Sequence, residues 1–115
     1  MNETIFDKII RKEIPAQIVF ESEDVLAFKD INPKAPVHIL VIPKRSIPRV
    51  SDIKGSEDAV LLGKLFDAAN KVAAEAGLVE KGFRIVINCG ADGGQEVEHL
   101  HLHILGGRKM KWPPG

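Results

Sequence analysis

The stretch EHLHLHILGG, from Glu98 to Gly107, holds three of the four histidines of a 115-residue chain, at 99, 101 and 103. Side chains alternate across a strand, so the pattern predicts His99, His101 and His103 on one face. Leu100, Leu102 and Ile104 take the other, which suits a core covered by a helix. Half-buried strands normally use Val, Ile or Thr where these imidazoles stand, so plain burial explains the pattern poorly. Reading the segment as a strand sets both the layering of the fold and the side on which chemistry sits.

Working outward, FRIVIN (Phe83–Asn88) is the preceding strand, with Phe83, Ile85 and Ile87 matching the core face. Arg84, Val86 and Asn88 then join the histidines. Between the two strands lies CGADGGQEVE, a glycine-rich loop. VHILVIP (Val37–Pro43) is a third strand that puts His38, Leu40 and Ile42 on one face and Ile39 and Val41 on the other. QIVFES and DVLAFKD read as two further strands around an acidic turn, and NPKAP as a loop. Thr4 caps a short helix with Phe6, Ile9 and Ile10 on one face, which Pro15 closes. Pro43 to Gly55 reads as a loop with room for one helical turn. Ser56 is expected to cap the main helix, where Leu61, Leu65, Ala69, Val72 and Ala76 recur at helical spacing and Gly77 supplies the stop. Close packing would account for Gly63 inside that helix. The order helix, three strands, helix, two strands implies an α+β class with antiparallel pairing, in a single domain over residues 1–115.

Composition excludes several classes. Lys plus Arg equals Asp plus Glu at 16 each, so the excess positive charge behind non-specific nucleic-acid binding is absent. Arg108, Lys109 and Lys111 read as a solvated tail. The single cysteine, Cys89, rules out an internal disulfide and fits a reducing compartment. The N-terminus carries acids early and no 18-residue apolar run exists. The expectation is a cytoplasmic protein that binds neither membrane nor nucleic acid.

Three readings fit the histidines. Neutral imidazole ligates zinc well, but the end histidines of a straight strand lie about 13 Å apart, so one ion readily takes two neighbours but not all three without a bend. His38 could add a ligand, and Cys89 or Asp92 are further candidates. A second reading is a hydrogen-bonded structural set. The third is catalysis: a partly neutral imidazole can attack phosphorus or take a proton. The loop GADGGQE leads into the strand, and its glycines let backbone N–H groups approach an anion. That loop just before an HxHxH strand favours phosphate chemistry.

HLHLHIL, His99–Leu105, resembles the His-φ-His-φ-His-φ-φ signature of the histidine-triad (HIT) family. TIFDKIIRKEIPA, FKDINPKAPVHILVIPK and NCGADGGQEVEHLHLHILGGRKMKWPPG are similar to its histidine-triad nucleotide-binding (Hint) branch, nearly the whole chain. The resemblance implies a five-stranded antiparallel sheet with two helices, pairing through the sheet into a homodimer. It implies binding of purine nucleoside monophosphates, AMP and possibly GMP, and hydrolysis of phosphoramidates with release of an amine. His101 would be the nucleophile and carry a nucleotidyl intermediate. His103 would hydrogen-bond the phosphate, and His99 and His38 would orient His101. Asn88 and the backbone of Gly94, Gln95 and Glu96 would hold the phosphate end. Asp30 would bind the ribose hydroxyls, and Phe6, Ile9, Ile14, Phe28 and Ile31 would line the base pocket. Trp112, Pro113 and Pro114 would lie near the partner's site. No cofactor is expected to be required, zinc included. Glu96 stands where many members carry a hydroxyl; it either turns away and offers its N–H, or acts as general acid to the amine. Glu98 replaces a frequent aromatic. The alternatives are a dinucleoside polyphosphate hydrolase or nucleotidyl transferase of the same family, and a non-catalytic nucleotide-binding dimer.

Overall fold

A computed structural model describes residues 3–115. Helix α1 is Ile5–Ile10; strands β1, β2 and β3 are Ile18–Glu21, Val25–Lys29 and Val37–Pro43. A 3₁₀ turn at Val50–Asp52 follows, then helix α2, Gly55–Glu75, and strands β4, Arg84–Val86, and β5, Leu102–Gly106. The five strands form one sheet in the order β1-β2-β3-β5-β4, antiparallel throughout. This is the expected α+β architecture. None of the described helices is long and apolar enough to cross a membrane.

Each face of the sheet is covered by a different helix. Val25, Ala27, Ile39, Val41, Leu102 and Ile104 pack with Leu65, Ala69 and Val72 of α2. Leu26, Phe28, Leu40 and Ile42 pack with Phe6 and Ile9 of α1. Alternation within β2 and β3 therefore buries both faces, which is why VLAF and ILVI read as continuous apolar runs. The β3–β5 register sets Leu40 opposite His103 and His38 opposite Leu105, so His38 and His103 share the α1 face. Val86 of β4 also pairs with His103, on the expected side.

Several boundaries differ from the sequence reading. Only His103 lies within β5; His99 and His101 precede it. Their rings take backbone carbonyls instead, His99 Nε2 that of Pro43 and His101 Nδ1 that of His99, at 2.8 and 2.7 Å. Alternation survives, because Leu100 still joins the α2 core. Helix α2 begins one residue before Ser56. Its N-cap is Lys54, which offers no side-chain cap; Asp58 in the first turn reaches back instead, accepting from the Lys54 N–H at 2.8 Å and pairing with Arg45. Ala76 is exposed and Ala73 is buried in its stead. Gly77, at φ +75, ends the helix as expected. Close packing does not account for Gly63, since a Cβ there would meet nothing within 4 Å.

Gly63→Ala should therefore stabilise the protein by about 0.5–1 kcal/mol through helix propensity alone. A urea midpoint that rises with an unchanged m-value is the expected observation. A loss of stability would mean that this face of α2 is covered.

Candidate active site

Four imidazoles meet on the α1 side of the sheet, and their partners assign their protons. The His38 Nδ1 accepts from the Lys34 N–H at 3.0 Å, so its proton sits on Nε2. That Nε2 lies 2.9 Å from His103 Nδ1 and donates to it. His103 consequently carries its own proton on Nε2, a buried atom with no partner among the described residues. His101 donates through Nδ1 to the His99 carbonyl, which leaves its Nε2 as a lone pair. The His101 ring packs edge-on against Phe6 at 5.1 Å between centroids and lies 4.9 Å from that of His103. The result is an imidazole lone pair beside an N–H donor without a partner among the described residues.

Burial favours the neutral form of His38, His101 and His103. Burial pushes the His38 imidazole below its ordinary value, with Asp30 opposing. Burial likewise lowers His101, partly offset by its bond to the His99 carbonyl. His103 is pushed down to about 4, by burial first and then by the charges of His101 and His38. A charged imidazole could not attack phosphorus; a neutral one can.

The glycine loop is fastened from within. Gln95 accepts from the Gly90 N–H through Oε1 at 2.9 Å, and its Nε2 donates to the Pro48 and Val97 carbonyls at 2.8 and 2.9 Å. The Gly94 and Gln95 amides donate to Ala91 and Gly90. Two of the three amides expected to hold phosphate are thus engaged inside the loop. The Glu96 N–H makes no hydrogen bond among the described residues. Glu98, in place of an aromatic, meets Arg49 with both carboxylate oxygens, at 2.8–3.2 Å. The sequence reading missed Arg49 and the fastening role of Gln95. The acid at 98 was the available signal, but its partner is 49 residues away.

The other candidates divide. Asp30 is half-buried, accepts from the Asn32 N–H at 2.8 Å and approaches His38 Nε2 at 3.5 Å. Asn88 is half-buried, two residues beyond Val86. Phe6, Ile9 and Phe28 are buried in the α1-side core and Ile14 packs on it, while Ile31 is 88% exposed. Trp112 is 82% exposed, on a tail that Arg84 Nη2 holds by donating to the Lys111 carbonyl at 3.0 Å. Ligand atoms of Asp30, His38 and His103 lie within 4.8 Å of one another, near enough to share one ion. Neither Cys89 nor Asp92 belongs to that group. An ion there would have to replace the His38–His103 hydrogen bond.

A HIT domain family model matches residues 11–110. An uncharacterised HIT-like protein of Synechocystis is 58% identical over 113 residues, 98% of this chain and 97% of that protein. The adenylylsulfatase HINT1 of Arabidopsis thaliana is 55% identical over 97% of this chain and 76% of its own length. A HIT family hydrolase from Legionella pneumophila superposes with a TM-score of 0.95 at 50% identity, covering 98% of this chain and 100% of that one.

The depressed histidines make a stability prediction. An unfolded histidine takes up a proton below about 6.5, whereas folded His103 stays neutral to about 4. The unfolded state binds more protons in that window, so stability rises with pH across it. The urea midpoint should fall as pH drops from 6.5 towards 4, and less steeply in His103→Asn. Equal slopes would mean that His103 is not held neutral.

Proposed function

The chain belongs to the HIT family, and on that footing we propose that it is a purine nucleoside phosphoramidate hydrolase. The observation that carries the reading is the His101 Nδ1 bond to the His99 carbonyl, which leaves Nε2 as the lone pair. In the first step Nε2 attacks the α-phosphorus, a phosphorus–nitrogen bond to the enzyme forms, and the bond to the leaving amine breaks. The amine departs with a proton taken from bulk water, and the water that attacks in the second step returns one to solvent. Water then attacks phosphorus, the histidyl bond breaks, and AMP leaves. The unpartnered His103 Nε2–H donates to a phosphate oxygen throughout, and the free Glu96 N–H is a second donor. Holding nucleophile and phosphorus in line removes up to about 7–11 kcal/mol of the barrier.

Asp30 takes the ribose hydroxyls, as a carboxylate can accept from both. Ile14 and Ile31 offer apolar surface to the base, with Phe6, Ile9 and Phe28 beneath. The Arabidopsis relative favours a second substrate, an adenylyl sulfate, attacked by the same nitrogen. Its leaving group is already an anion, so it needs no proton. No metal is required on this reading. The protein acts as a cytoplasmic homodimer. The β4 edge is open, and an apolar groove lined by Val50, Ile53, Leu62, Phe66 and Ile87 lies nearby, which supports pairing there. Trp112 would then reach the partner's site.

Steady-state hydrolysis of an adenosine phosphoramidate tests the reading, with and without EDTA. Wild-type protein should turn over in both, and His101→Ala should fall to the background rate while still binding AMP. Turnover only with added zinc would overturn the metal-free mechanism. AMP binding without turnover would leave a nucleotide-binding module. Wild-type rates in His101→Ala would rule out the covalent intermediate.

A further inference from the structure

His99 is fully buried, with 0% of its surface exposed, yet the mechanism above uses only its backbone carbonyl. Its ring has two nitrogens, and both face acceptors. Nε2 lies 2.8 Å from the Pro43 carbonyl, which can only accept, so Nε2 carries a proton. Nδ1 is buried, has no hydrogen-bond partner among the described residues, and lies 3.7 Å from Asp7 Oδ1. If Nδ1 held a lone pair, that lone pair would face a carboxylate from a ring with no solvent exposure, a repulsive arrangement. A proton on Nδ1 turns the same contact into attraction, and a small rotation of the carboxylate closes the hydrogen bond.

We propose that Asp7 is a positioning residue that holds His99 as a doubly protonated imidazolium beneath the nucleophile. The inference rests on the phosphoramidase reading only for its effect on rate. Asp7 already has a structural task. Its Oδ2 accepts from the Thr4 N–H at 2.8 Å and closes the capping box of α1. The same carboxylate therefore ties the N-terminal helix to the catalytic segment. Among the described residues, Asp7 is the one carboxylate within 4 Å of a His99 ring nitrogen; the other titratable neighbour is His101. With Nε2 bonded to Pro43 and Nδ1 drawn to Asp7, rotation of the His99 ring is opposed at both nitrogens, which keeps its carbonyl where His101 Nδ1 needs it. The nearby positive charge also opposes protonation of His101.

The test is ¹⁵N NMR of the histidine rings in nucleotide-free protein at neutral pH. Wild type should show both His99 nitrogens with protonated shifts. Asp7→Asn, whose amide oxygen can still accept from Thr4, should convert His99 to a neutral ring with a lone pair at Nδ1. The acid limb of kcat/KM should then move to higher pH, because His101 becomes easier to protonate, with KM little changed. Helix content and Tm report on the cap separately. A neutral His99 in wild type would overturn the proposal, as would ring shifts unmoved by Asp7→Asn. If the variant fails to fold, the wild-type spectrum alone decides. If the protein folds but lacks turnover, the functional reading fails while the ring spectrum still decides this one.

Discussion

The antiparallel pairing of β3 with β5 is the constraint on which the site depends. It sets Leu40 opposite His103, and so puts His38 and His103 on one face of adjacent strands, near enough for a 2.9 Å bond. A one-residue slip would send both to opposite sides. The slip is barred because Ile39, Val41, Leu102 and Ile104 would then leave the α2 core. Hydrophobic burial in one layer thus fixes hydrogen-bond geometry in the other. The active face inherits its precision from the inert one.

Burial also sets the chemistry. Most proteins keep histidine near water, where it is half-charged near neutral pH. Here three imidazoles press together beside Phe6, and desolvation dominates each one's shift. The site gives up histidine's usual pH sensitivity and gains a fixed pattern of donors and lone pairs. Lys34 N–H to His38, His38 to His103, and His103 to the open site form one directed relay. Every proton position in it follows from a backbone amide, which cannot change its own role.

Much of this was legible in the sequence. Alternation in HLHLHIL and VHILVIP gave both faces, because strand periodicity is local. The start of β5 was not legible. It is decided where the Pro43 carbonyl meets a histidine ring, a contact across 56 residues. The α2 start was misplaced for a similar reason: Asp58, inside the helix, reaches back to Lys54 and out to Arg45, which displaces Ser56 from the cap. The base-lining residues show a further limit. Phe6 and Phe28 are apolar for the core and for a base alike, and composition cannot separate the two uses.

The acids at 96 and 98 are what sets this site apart within the pattern it resembles, and they act differently. Glu98 is bound to Arg49 by both oxygens, and that guanidinium lowers its carboxyl. It is a fastener between the two loops, beside the bonds that Gln95 makes to Pro48. Exposed pairs of this kind contribute little to overall stability. Their effect here is on geometry, since they restrain the loop that carries the Glu96 N–H. Glu96 itself is exposed and forms no ion pair among the described residues. The two acids therefore differ in what holds them: Glu98 is tied by its side chain to Arg49, whereas Glu96 is restrained only through the backbone of its loop.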